Sequence, residues 1–299
     1  MRFASIDIGT NSVLLLIVEK RENIIEPIWQ AMGVPRVGRN LAVTGEIAEA
    51  SFDALMNDLS RFQKDIHEKE ATLVGVVATQ AFRVAKNGEF LMAKISAALG
   101  INAVIIAGPE ESRLGYMAIA NRYASPNLTV LDIGGGSTEL TQKGHGMSLP
   151  IGAVSVFESF KNDQAACRAY AKNFFQEALI GWTSAMNLIV VGGTASALAM
   201  MELKLEKFDA KAIEGLKLEV DQVTNAIDLL AGLSETEKRL IPGMDQGRID
   251  ILMPGLCILE SLLLISKTSS FRVSDRGIRY GVILDWLKNQ KPIVQSSTF

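Results

Sequence analysis

Three glycine turns and a handful of carboxylates carry the chemistry open to this sequence. Asp7-Ile8-Gly9-Thr10-Asn11-Ser12 and Asp132-Ile133-Gly134-Gly135-Gly136-Ser137 share an aspartate, an isoleucine, a glycine and a serine, each matched pair 125 residues apart. A glycine turn lets backbone N–H groups approach an anion closely, because no Cβ blocks the way and positive φ costs little. Two such turns on facing domains would clamp a phosphate chain from both sides. A third turn, Gly192-Gly193-Thr194-Ala195-Ser196, follows the apolar run Leu188 to Val191 and opens a helix of small residues. That passage from strand to helix suits anion binding by amides at a helix N-terminus.

Asp132 is expected at the C-terminal end of its strand, where a carboxylate can hold a magnesium ion directly or through water. Glu139, seven residues on and across the hairpin, can share the ion or orient water. Gly108-Pro109-Glu110-Glu111-Ser112-Arg113 places two carboxylates in the first turn of a helix, where the macrodipole favours negative charge. One of the two can also serve as general base for water, and periodicity does not choose between them.

Other chemistries are excluded by what the chain lacks. His67 and His145 are its only histidines and stand apart, which argues against a His-rich zinc site and a Ser-His-Asp triad. Cys167 and Cys257 lie in separate apolar stretches and are expected to be buried free thiols. At a formal charge of −3 the chain offers no broad basic face, so no nucleic acid polymer is expected as partner. No apolar run approaches the roughly 20 residues that span a bilayer, and the opening Met1-Arg2-Phe3-Ala4-Ser5 enters a strand without a leader pattern. A cytoplasmic protein without membrane partner is expected. The oligomeric state is left open, a homodimer among the states allowed.

The elements that must position these residues form an α/β alternation. Strands are expected at Phe3–Ile8, Val13–Glu19, Leu73–Ala78 and Ala103–Ile106, with helices at Ala48–Ile66, at Phe90–Leu99 and from Glu110 to Arg122. The second half restarts with strands at Leu128–Ile133 and Thr138–Gln142, repeating the opening hairpin. After the third turn, Asp221 to Ser266 reads as helical with a break near Pro242-Gly243, then a strand at Phe271–Ser274 and a helix at Ile278–Leu287. With 299 residues and 48% hydrophobic content, two cores of ordinary size are affordable. The internal match argues for two copies of one domain, 1–122 and 123–299, the C-terminal helix being a candidate to pack back on the first.

At these residues the sequence resembles the exopolyphosphatase and guanosine pentaphosphate phosphatase family, a branch of the actin, Hsp70 and sugar-kinase superfamily. The resemblance runs through both aspartate–glycine turns, Ala78-Thr79-Gln80-Ala81-Phe82-Arg83, Gly108 to Leu114, Thr138-Glu139 and Gly192 to Ala195. It continues through Arg248-Ile249-Asp250, Pro254-Gly255 and Val273 to Arg279. It implies two ribonuclease H-like (actin-like ATPase) domains facing across an interdomain cleft. The activity implied is metal-assisted release of terminal phosphate from inorganic polyphosphate, or alternatively from guanosine pentaphosphate. By the same resemblance Glu111 activates water, Asp132 and Glu139 serve Mg2+ or another divalent cation, and Gly9 to Ser12, Gly134 to Ser137 and Gly192 to Thr194 bind phosphate. Arg83 would face the substrate. Arg248 and Arg279 are expected near it, with Arg36, Arg39 and Arg276 as secondary candidates. Larger members append a helical domain, and a chain without one is expected to trim long polyphosphate distributively. A kinase and a nucleotide-dependent filament protein are the rival readings within the superfamily.

Overall fold

Both faces of the first strand, β1 (Arg2–Ile8), are covered: Ala4, Ile6 and Ile8 enter one apolar core and Phe3 another. A strand of this kind reads as a near-continuous apolar run because helices pack on both sides of the sheet. It pairs antiparallel with β2 (Val13–Arg21), which pairs antiparallel with β3 (Ile24–Gly33). Past α1 (Leu41–Thr44) and α2 (Glu49–Glu68), β4 (Thr72–Ala78) runs parallel to β1. Helices α3 (Gln80–Val84) and α4 (Gly88–Leu99) then lead to β5 (Ala103–Ile105), parallel to β4, and to α5 (Gly108–Ala120). The sheet order is β3-β2-β1-β4-β5.

The pattern is then built again. Strands β6 (Thr129–Ile133), β7 (Thr138–Gln142) and β8 (His145–Leu149) form an antiparallel meander. Helices α6 (Ala153–Phe160) and α7 (Gln164–Ala178) precede β9 (Leu188–Val191), which lies parallel to β6. There follow α8 (Gly193–Leu203), α9 (Ala210–Ile213), β10 (Lys217–Glu219), α10 (Val220–Ala231), α11 (Glu235–Lys238) and α12 (Leu252–Ile265). Strand β11 (Ser270–Val273) pairs parallel with β9, and α13 (Ile278–Asn289) is the last helix. Read from β8, the second sheet runs β8-β7-β6-β9-β11-β10, so its first five strands repeat the topology of the first sheet and β10 is an added edge.

This computed structural model describes residues 1–22, 24–142, 144–179, 187–291 and 293. It divides into two units, one comprising Met1–Ala118 with the helix that starts at Ile278, the other Ile119–Gly277. In the first unit α2 lays Phe52, Leu55, Leu59, Phe62 and Ile66 against the sheet at helical spacing. In the second, α12 buries its residues from Leu252 to Leu263 without a break, and Pro254 is tolerated because it stands in the first turn. Cys167 and Cys257 are buried free thiols in this core. Among the described residues no helix is long and apolar enough to cross a membrane.

Helix α13 packs on β1, β2 and β4 and also against α5. A Cβ at Gly281 would overlap the backbone carbonyl of Leu114, which cannot swing aside as a side chain would. Gly115, in the interior of α5, has nothing within 4 Å of such a Cβ and no left-handed φ. Urea denaturation is therefore expected to show Gly281→Ala losing about 1–3 kcal/mol by overpacking, and Gly115→Ala gaining about 0.5–1 kcal/mol by helix propensity. Equal midpoints for the two variants would contradict this packing of α13.

Candidate functional site

In the second unit the site is built where the parallel strands β6 and β9 end, the place where open α/β sheets hold ligands. Asp132 stands directly opposite Glu139 in the β6–β7 ladder, and Glu139 stands opposite Ser148 in the β7–β8 ladder. Opposed residues of an antiparallel pair share a face, so Asp132, Glu139 and Ser148 form one row. Ser148 Oγ donates to Glu139 Oε1 at 2.7 Å. Burial alone pushes the Asp132 carboxyl up to about 6, from an ordinary value near 3.8. Ser148 had no sequence signal, because β8, which carries it, was not expected.

Beyond Asp132 the chain makes the turn Gly134 to Ser137, closed by a bond of 2.9 Å from the Gly134 amide to the Ser137 carbonyl. The first amides of α6 satisfy its carbonyls: Ala153 N–H donates to Gly134 O at 3.0 Å, and Val154 N–H to Gly135 O at 2.7 Å. Gly152 must lack a side chain, because a Cβ would lie 2.5 Å from Gly135. Among the described residues the Gly135 and Gly136 amides donate to no backbone carbonyl, which suits them to an anion. The turn after β9 comes equally close. Gly192 has φ +91°, and a Cβ there would lie 2.7 Å from Asp132 Oδ1 and 2.9 Å from the Ile133 carbonyl. A Cβ at Gly193 would fall on the Arg248 guanidinium, so Arg248 lies over the start of α8, held by Asp245 through a 3.0 Å bond. Thr194 is buried and packs against Gly255 of α12.

In the first unit the corresponding strand ends are those of β1, β4 and β5. The turn Gly9 to Ser12 is closed by the same bond, Gly9 N–H to Ser12 O at 2.9 Å. A strap covers its carbonyls here: Arg36 N–H donates to Asn11 O at 3.0 Å and Gly38 N–H to Thr10 O at 2.9 Å. Thr10, Asn11 and Ser12 are all buried. The position of Asp132 is taken by Asp7, but opposite Asp7 stands Leu14, so no second carboxylate joins that row. After β4, Thr79 N–H donates to the Ile8 carbonyl at 3.1 Å and α3 presents Arg83. The two glutamates at the start of α5 part company. Glu110 is clasped by Arg113 through bonds of 2.7 Å from Nε and from Nη2, and Arg113 also reaches Asp285 at 2.8 Å. Glu111, 4% exposed, turns to the Arg83 guanidinium.

The remaining arginines have varied surroundings. Arg279 is buried in the first unit, its guanidinium donating to Gln30 Oε1 at 3.0 Å. Arg36 contributes its backbone to the strap at φ +54°, and the exposed Arg39 lines a surface cavity of about 580 Å³ with Lys94 and Asp53. The Arg276 amide donates to Ser274 Oγ at 3.2 Å.

Among the described residues no three His, Cys, Asp or Glu side chains converge as a ready metal cage. Two carboxylates in one row, one with its charged form disfavoured by burial, still fit a hard cation that completes its shell with water and phosphate oxygens. The sign of the titration makes this measurable. The folded protein binds the Asp132 proton more tightly than the unfolded chain, so the favourable contribution is complete below about pH 4 and lost as pH rises through about 6. In cation-free buffer the unfolding free energy is expected to fall across that window by on the order of 2 kcal/mol, and Asp132→Asn to remove the fall. Magnesium added at pH 7 is expected to stabilise the natural protein and not the variant. The same pH profile in both proteins would remove Asp132 from this role.

Over residues 16–290 the chain matches the Ppx/GppA phosphatase family. It is 27% identical over 312 residues to the bifunctional 3-dehydroquinate synthase/phosphatase of Fusobacterium nucleatum, with 96% of this chain and 47% of that protein covered. It is 24% identical to the guanosine-5'-triphosphate,3'-diphosphate pyrophosphatase of Pseudoalteromonas atlantica, with 97% and 59% covered. To Exopolyphosphatase 2 of Mycobacterium tuberculosis it is also 24% identical, with 87% and 89% covered. The chain thus spans roughly half the length of the first two. Among solved structures, the Ppx/GppA family member of Aquifex aeolicus superposes with a TM-score of 0.81 at 27% identity, covering 97% of this chain and 98% of that one. An exopolyphosphatase from Cytophaga hutchinsonii shares the fold at a TM-score of 0.87 and 23% identity, covering 99% and 100%. The mixed α/β class of two actin-like domains expected from the sequence is the fold of these structures, and the chain belongs to the Ppx/GppA phosphatase family.

Proposed function

We propose that this protein is a phosphohydrolase that releases terminal orthophosphate from inorganic polyphosphate by attack of water. The observation that carries the reading is the row Asp132–Glu139 beside the turn at Gly135 and Gly136. It sets a place for a cation next to backbone amides open to an anion, the combination that a metal-bound phosphate chain requires. The turns Gly9 to Ser12, Gly134 to Ser137 and Gly192 to Thr194 bind phosphate oxygens, the first two through amides beyond those of Gly9 and Gly134, which close the turns themselves, and Arg248 adds positive charge at the start of α8. Glu111 accepts the proton of the attacking water as its oxygen bonds to the terminal phosphorus. The bond from that phosphorus to the bridging oxygen breaks, and the shortened chain leaves with the electron pair. A divalent cation held by Asp132 and Glu139, magnesium first among candidates, would neutralise charge on the phosphoryl group.

Inorganic polyphosphate is favoured over guanosine pentaphosphate because a relative matched across most of both lengths, that of Mycobacterium tuberculosis, is called an exopolyphosphatase. Purified protein with magnesium and polyphosphate, and no acceptor, is expected to release orthophosphate. Glu111→Gln is expected to lower kcat by about 10²–10⁴-fold with KM within a few-fold. Faster release from guanosine pentaphosphate would move the assignment to that substrate, and phosphate release from neither would refute the activity.

A further inference from the structure

Arg83 stands in the last turn of α3, a helix of five residues. Its Nη1 donates to the Ile106 carbonyl at 2.6 Å and to Glu111 Oε1. The side chain is 14% exposed, Glu111 only 4%. Ile106 follows β5 and leads into α5, so a single guanidinium ties the backbone before the helix to the carboxylate in its first turns. The Ala107 carbonyl accepts from the amides of both Glu110 and Glu111, at 3.0 Å each, which fixes the main chain under that carboxylate. What remains to be set is the glutamate side chain, which has several staggered rotamers available. A general base must keep its oxygen within hydrogen-bond reach of one water proton. A charge-assisted bond in a buried setting is strong enough to choose among those rotamers. Glu110 has its own arginine in Arg113, so it does not compete for Arg83.

Taking Glu111 as the base proposed above, we propose that Arg83 is a positioning residue. It acts on the reaction through the Glu111 carboxylate, holding it in the orientation from which it takes the water proton, and not through a grip on the phosphate. This assigns Arg83 a role different from the substrate contact that family resemblance implied.

A kinetic double-mutant cycle on the full chain, with inorganic polyphosphate and magnesium, tests it. Arg83→Met is expected to lower kcat about 10- to 100-fold while KM stays within about threefold. In the Glu111→Gln background the same change is expected to add less than about threefold, because the group it positions is already gone. Arg83→Lys keeps the charge on a different stem and is expected to recover part of the lost kcat with KM unchanged. Losses that multiply, together with a KM raised about tenfold or more, would make Arg83 a phosphate ligand and overturn the proposal. Near-normal turnover of Glu111→Gln alone would instead remove the base itself, a separate failure that takes the positioning role with it. Should Arg83→Met fail to fold, the cycle runs on Arg83→Lys, and multiplying losses there overturn the proposal equally.

Discussion

One hydrogen bond, made twice, sets the geometry on which both candidate sites depend. At the end of each unit's first strand a glycine amide donates to the carbonyl of the serine three residues on, at 2.9 Å in both units. A Cβ on Gly9 would lie 3.3 Å from that carbonyl and one on Gly134 3.0 Å, so a side chain at either position would push the turn open by a few tenths of an ångström. Its closure brings the chain straight back as the antiparallel partner strand. That return fixes which residue faces the strand's aspartate.

Because a turn this tight has carbonyls as well as amides, something must satisfy them from behind. The two units do so with unrelated segments. The strap at Arg36 and Gly38 covers Asn11 and Thr10, and the N-terminus of α6 covers Gly134 and Gly135. In the second unit this uses helix amides that would otherwise lack intrahelical partners, so a single contact satisfies both elements. The cost is steric: Gly38 lies against Thr10, and Gly152 against Gly135 and Gly136.

Much of this was legible in the sequence, because an Asp-Ile-Gly turn between two apolar runs has few other readings. The repeated hairpin, the third turn, α2 and the helix holding Glu110 and Glu111 were readable to within a few residues at each end. Strand β3 was not, since Glu26, Pro27 and Gln30 break any alternation on what proved to be an edge strand. Helix α7 carried a usable signal that was missed: Asp163 caps it at 3.0 Å, and Cys167, Ala171 and Phe175 recur at intervals of four. The choice between Glu110 and Glu111 could not be read from spacing. The two differ in partner, Arg113 for Glu110 and Arg83 for Glu111, and the second of these comes from a separate helix far back in the chain.

The contrast between Leu14 and Glu139 has a consequence for ancestry. Two domains that arose by duplication would begin as equals, each with the same residue facing its aspartate. Here one copy has an aliphatic side chain opposite Asp7 and the other a carboxylate opposite Asp132. The repeat of the backbone is thus closer than the repeat of its charges. One hairpin carries a pair of facing carboxylates and the other a single one, so the two are alike in backbone but are not exchangeable parts.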